Sequence, residues 1–144
     1  MSGISESLQE EVRIRRVLEH YCTALDHGDA DALAGLFDDD CTFTMMGHTY
    51  QGRAEISTVW ERLDSTERPT TLHALINPII TVDGDRATAT SGWAMLDRSR
   101  ADGCTAVAMA GHYHDSLARG RDAHWRFTSR RVRTLARPAQ SRSG

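Results

Sequence analysis

Residues 21–31 read YCTALDHGDAD, and the architecture of the chain turns on how a helix ends within them. Upstream, Ile14, Val17, Leu18, Tyr21, Cys22 and Leu25 recur at steps of three and one, which is one apolar face of a helix over about residues 6–26. Gly28 can take the left-handed conformation that stops it. Asp29 then offers a side-chain oxygen to cap a second helix, Ala30 to Phe37, with Leu33, Leu36 and Phe37 toward the core. Asp26 is the anomaly. It falls in the last turn, where the helix carbonyls already concentrate negative charge. A solvated turn residue is the plain reading. The functional one is a carboxylate held in a pocket, where burial and the helix end both raise its pKa.

Downstream, the three aspartates at 38–40 read as a turn, CTFTMM at 41–46 as a short strand, and GHTYQG at 47–52 as a loop before a third helix over about 53–63. The pattern then changes to long alternating stretches: a strand from Thr71 to a turn at Asp83-Gly84, then 86–99, 104–118 and 124–136, with RGRD as a hairpin turn and residues 138–144 as a disordered tail after a single domain of residues 1–137. Helices first and strands afterwards indicate an α+β fold. Short turns make consecutive strands antiparallel. A strongly curved sheet wrapped over three helices would form a cone with an internal pocket.

The chain has 144 residues, one domain by size, and a net charge of −3. No basic field supports a nucleic-acid partner. All 17 basic residues are arginine, which rules out lysine Schiff-base chemistry. Cys22, Cys41 and Cys104 form no CxxC pair and are odd in number, which fits a reducing cytoplasm. The polar N-terminus lacks the apolar run of a signal peptide, and no window resembles a membrane span.

An acid such as Asp26 needs a partner, and His73 is the candidate. It lies in an apolar strand, where period-2 alternation groups it with Thr71, Leu75 and Asn77. The bland alternative is a core histidine bonded to a backbone carbonyl; the sharper one is a general base oriented by Asp26. Tyr21 lies on the apolar stripe and could border the same pocket, its hydroxyl donating to a substrate oxygen. In WRFTSRRVR, Trp125 and Phe127 share parity with Arg131 and Arg133, whereas Arg130 has the other parity; alternation alone does not say which arginine points inward. His112 and His114 lie on one side of a strand, a spacing that can bind metal, but His48 and His73 come from scattered segments. The reading is therefore no metal, with His112 available to line the pocket. Leu25, Phe43, Met45, Trp60, Leu75, Trp93 and Met109 could line it for a hydrophobic substrate.

Taken in order, IRRVLEHYCTALDHGDADALAGLFDDDCTF, YQGRAEI, HALINPIITVDGDRATATS and GHYHDSLARGRDAHWRFTSRRV resemble the SnoaL-like branch of the NTF2-like superfamily over about residues 8–135. The resemblance implies an α+β cone, mainly antiparallel and often dimeric through the sheet, working without metal or organic cofactor. It also implies, for a dehydratase and dehydrochlorinase subset, an Asp–His dyad at the positions of Asp26 and His73. Tyr21 matches the Tyr-x4-Asp arrangement of the bile-acid dehydratase type, and Arg130 a pocket arginine of some dyad enzymes. The expected activity is a cofactor-independent, dehydratase-like lyase acting on a hydrophobic cyclic substrate. An isomerase, a polyketide cyclase or a non-catalytic small-molecule binder are the alternatives.

Overall fold

In the computed structural model, which describes residues 2–98 and 102–135, the apolar stripe forms one helix, α1 (Ser2–His27), with Ile14, Leu18, Tyr21 and Cys22 buried. Gly28 ends it at φ 63°. Asp29 caps α2 (Ala30–Gly35), its carboxylate accepting from the Ala32 N–H at 3.1 Å. Next come β1 (Phe37–Met45), β2 (His48–Gln51), α3 (Arg53–Trp60), β3 (Thr71–Asp83), β4 (Arg86–Asp97), β5 (Ala106–Arg119) and β6 (Trp125–Thr134). The expected tail at 138–144 lies outside the described residues.

The α+β class with three helices holds, but the cone does not. The strands form one open, mixed sheet in the order β2-β1-β6-β5-β4-β3, neither closed nor strongly curved, because β2 and β3 each pair with only one neighbour. Pairing between β1 and β6 is parallel and the rest is antiparallel. Alternation reports which face a residue occupies and carries no information about how far a sheet bends.

Two local readings are also corrected. Residues 48–51 are a strand rather than a loop, because Met46 (φ 52°) and Gly47 (φ 78°) are both left-handed, as a two-residue hairpin turn demands. The aspartates at 38–40 lie within β1 rather than in a turn. Between Phe37 and Thr42 the strand advances five positions while β6 advances two, so the charged residues occupy an irregular, exposed excursion. Helices α2 and α3 stop short of the expected Phe37 and Leu63.

The core lies between α1, α3 and one sheet face. Tyr21 meets Phe37, Trp60, Tyr113 and Phe127 edge-on with ring centroids 5.8–6.3 Å apart. Helix α1 is tied to the sheet at both ends. Near its start, Glu10 accepts from the Trp125 indole N–H at 2.5 Å and pairs with Arg119 at 3.2 Å; the indole bond, first among its surroundings, holds the Glu10 carboxyl below its usual range. Near its end, Gly28 lies against the segment before β3, where the Thr66 N–H donates to the His27 carbonyl at 2.9 Å. A Cβ on Gly28 would sit 2.7 Å from the Asp64 carbonyl carbon, and φ there is left-handed.

Gly28→Ala should therefore lower unfolding stability by more than the ~1–2 kcal/mol backbone cost of a left-handed residue. Gly47→Ala, equally left-handed but with nothing within 4 Å, should lose only that cost. Urea unfolding of both checks this, and equal losses would mean that the close approach at Gly28 is not energetically significant.

Candidate functional site

Asp26 occupies the last turn of α1, and β3 supplies the groups that answer its charge. The His73 backbone N–H donates to the carboxylate at 2.8 Å (Oδ2) and 3.1 Å (Oδ1). The Thr71 hydroxyl donates to Oδ1 at 3.2 Å. The His73 ring places Nδ1 2.6 Å from the same oxygen. Both side chains are buried, Asp26 at 5% and His73 at 11% exposure. An ionised carboxylate only accepts, so Nδ1 carries the hydrogen, and in the neutral ring Nε2 is the basic nitrogen. The arrangement fixes one tautomer, turns Nε2 away from the helix and can stabilise an imidazolium.

The His73 ring lies 6.4 Å from Trp93, which stacks on Tyr113 at 5.7 Å. Tyr113 in turn covers the Arg130 guanidinium at 3.7 Å, and Tyr21 covers it at 4.0 Å. Arg130 is completely buried. Its Nε is 3.4 Å from the equally buried Asp115, without hydrogen-bond geometry. Burial, partly offset by Arg130, pushes the Asp115 carboxyl up to about 6. It also pushes the Tyr21 and Tyr113 phenols upward.

Arg130 reaches the interior through a bulge. Ser116 pairs with Ser129 but Leu117 pairs with Phe127, so Thr128 is an extra residue that inverts the alternation. Phe127 and Arg130 therefore both point inward, while Arg131 and Arg133 are exposed. A second bulge, between Ile76 and Ile79, leaves Asn77 at φ 47° and exposed instead of beside His73.

Of the expected pocket residues, Phe43 and Trp60 are fully packed, with rings 5.3 Å apart, and fill space that a pocket would need. Trp93 is buried beside His73. Met45, Leu75 and Met109 are half-buried on the core-facing side, together with Met95 and Val132, and Leu25 on α1 is half-buried against the same core. His112 and His114 alternate outward and are exposed, so His112 is not part of this assembly. His48 instead packs on Tyr50 at 4.4 Å. Among the described residues no three His, Cys, Asp or Glu side chains gather as metal ligands would, and no helix is long and apolar enough to cross a membrane. A surface cleft of about 580 Å³ lies elsewhere, bordered by Arg16, His20, Leu36 and His124. Asp115 is a buried group that the sequence reading does not single out. The signal was there: Gly111, Tyr113, Asp115 and Leu117 share one parity, with a single charge among them.

No protein of curated function matches the chain. Solved structures do. A protein of unknown function from Mycobacterium tuberculosis, determined as an aspartate-to-asparagine variant, is 26% identical, with a TM-score of 0.80 over 93% of this chain and 76% of its own. An NTF2-like protein with a cystatin-like fold from Novosphingobium aromaticivorans is 25% identical, with a TM-score of 0.80 over 96% and 90%. A candidate scytalone dehydratase from the same organism is 25% identical, with a TM-score of 0.77 over 94% and 89%. The model of the SnoaL-like domain matches residues 6–131, and with this span, this fold and the buried Asp–His pair in place, the chain belongs to the SnoaL-like family of the NTF2-like superfamily.

Proposed function

We propose that the protein is a cofactor-independent lyase of the dehydratase type, in which His73 removes a proton α or vinylogous to a carbonyl of a hydrophobic cyclic substrate. The observation that carries this reading is the buried 2.6 Å contact between Asp26 and His73 Nδ1, which leaves Nε2 as the base. Asp26 supports the imidazolium once the proton arrives. Arg130, with Tyr21 beside it, stabilises the oxyanion that develops on the carbonyl oxygen or assists departure of hydroxide. Trp93 and the half-buried Met45, Leu75 and Met109 supply apolar contact for the ring, while Phe43 and Trp60 back them from the core. Likeness to a candidate scytalone dehydratase supports elimination of water as the outcome. Return of the proton at another carbon, as in an isomerase or cyclase, uses the same base and differs only in the product. Exposed Leu72, Ile79 and Val107 on the other side of the sheet support pairing of two copies through it.

A panel of cyclic β-hydroxy ketones tests the reading. In deuterated water, the wild-type protein should exchange the α-proton of at least one member and form the conjugated enone, followed by NMR and absorbance. His73→Ala should cut the rate by about 10²–10⁴-fold, the usual contribution of a positioned base, with the circular dichroism unchanged. Asp26→Asn should also lower the rate, because the carboxylate that orients the ring and supports the imidazolium is gone. Saturable binding with no exchange, unaltered in His73→Ala, would instead identify a non-catalytic binder.

A further inference from the structure

Two aspartates are buried in this interior, and they are treated in opposite ways. Asp26 receives a backbone N–H, a hydroxyl and a ring N–H. Asp115 receives no hydrogen bond at either oxygen, and the three Arg130 nitrogens make none either. Stacking explains how the guanidinium is nevertheless held. The rings of Tyr21, Tyr113 and Phe127 lie 3.7–4.6 Å from its central carbon, and ring faces fix a cation without using its N–H groups. The donor edge of Arg130 is therefore unspent. Among the described residues its counter-charge is Asp115, its direct cross-strand partner.

Such a pair is neutral as a unit. If an anionic oxygen bonds to Arg130, two negative charges face one positive charge in a medium that solvates none of them, which is costly. The least costly relief is protonation of the carboxylate that no donor stabilises. We propose that Asp115 is the positioning residue behind Arg130, and that it takes up one proton when the anionic oxygen of an enolate- or phenolate-like ligand replaces it as the guanidinium's partner. The exchange balances. The ligand keeps its charge, Arg130 stays a cation, one proton from solvent joins the Asp115 carboxylate, and no covalent bond to the ligand forms.

The neighbours leave this role to Asp115. The titratable groups coupled to it are Tyr21 and Cys22 on α1, Tyr113 on β5 and Arg130 on β6. Burial raises both phenols and pushes the Cys22 thiol up to about 11, so these are already protonated at neutral pH. The β4 residue opposite, Ala89, carries no titratable side chain. Asp115 itself, pushed up to about 6 by burial, lies closest to neutrality. Met45 and Val132 are half-buried residues two positions beyond Phe43 and Arg130 on adjacent strands, and Met45, being unbranched, adapts its packing easily.

The inference rests on the reading of Arg130 as an oxyanion partner, but it is measured without turnover. The coloured anion 2,4-dinitrophenolate would be titrated into the full chain at neutral pH, by calorimetry in two buffers of different ionisation heat and by absorbance. The expected result is uptake of about one proton per probe bound, with the anion's colour retained. Arg130→Met should weaken binding at least tenfold. Asp115→Asn should keep or tighten binding and bring proton uptake close to zero. No saturable binding, no proton uptake in the wild type, or uptake undiminished in Asp115→Asn overturns the proposal. So does binding indifferent to Arg130→Met, which would put the probe in the cleft beside Arg16 and His20. Should Asp115→Asn not fold, the Asp115 carboxyl carbon of the wild type, followed by NMR at saturation, must move to its protonated position; an unmoved signal also overturns the proposal. His73→Ala should leave the proton count intact, so failure of the base and failure of this exchange are separate results.

Discussion

A carboxylate at the negative end of a helix is the constraint on which the rest of this structure depends. Asp26 is tolerable there because β3 brings it three donors, two of them from the same residue. The backbone N–H of His73 fixes where the strand begins relative to α1, and the ring N–H fixes how the imidazole is turned. One set of contacts thus does two jobs, docking α1 on β3 and preparing a base. Glu10 does the docking alone at the far end of the helix, where its partners are an indole and surface arginines and no reactive nitrogen results.

The comparison between Asp26 and Asp115 shows that burial by itself does not decide what a carboxylate does. Both are almost fully enclosed. The first accepts three donated hydrogen bonds, whereas the second has only a stacked cation at 3.4 Å to oppose its desolvation. Two acids with divergent environments a short aromatic ladder apart are a common basis for dividing acid and base work. Here that ladder is Trp93 and Tyr113, which join the two charges along one face of β4 and β5.

Much of this could be read from residues in order, and the failures share a cause. The end of α1 and the cap at Asp29 are legible because each depends on local signals, an apolar repeat and a glycine; Asp26 stands out locally as a charge out of place, but its pairing with His73, 47 positions on, follows only from the resemblance. Strand faces were legible only as far as alternation persisted. An extra residue at Thr128 brought Arg130 inward against its apparent parity, and another irregularity at Asn77-Pro78 expelled a polar residue expected beside His73. Bulges are settled by pairing partners far away in sequence, which a single strand does not disclose. The openness of the sheet is hidden for the same reason: whether β2 meets β3 depends on neither strand's own residues. The β1–β2 hairpin was obscured by Met46, a side chain rarely found in the left-handed conformation that the turn requires.

An open sheet must have its inner face filled by side chains from elsewhere, and that requirement bears on the chemistry. Helices α1 and α3 supply Tyr21 and Trp60, and the strands answer with Phe37, Phe43, Tyr113 and Phe127, so the interior is aromatic before it is anything else. A charge placed in such an interior is met by ring faces rather than by water. A lysine ammonium is a compact, strongly hydrated charge that would lose its donors' partners there, whereas a planar guanidinium can be clamped between two rings with its edge left free. In a chain whose basic residues are all arginine, Arg130 uses the one property of that side chain that this core can accommodate, and it is the same property that keeps its N–H groups available to an oxygen.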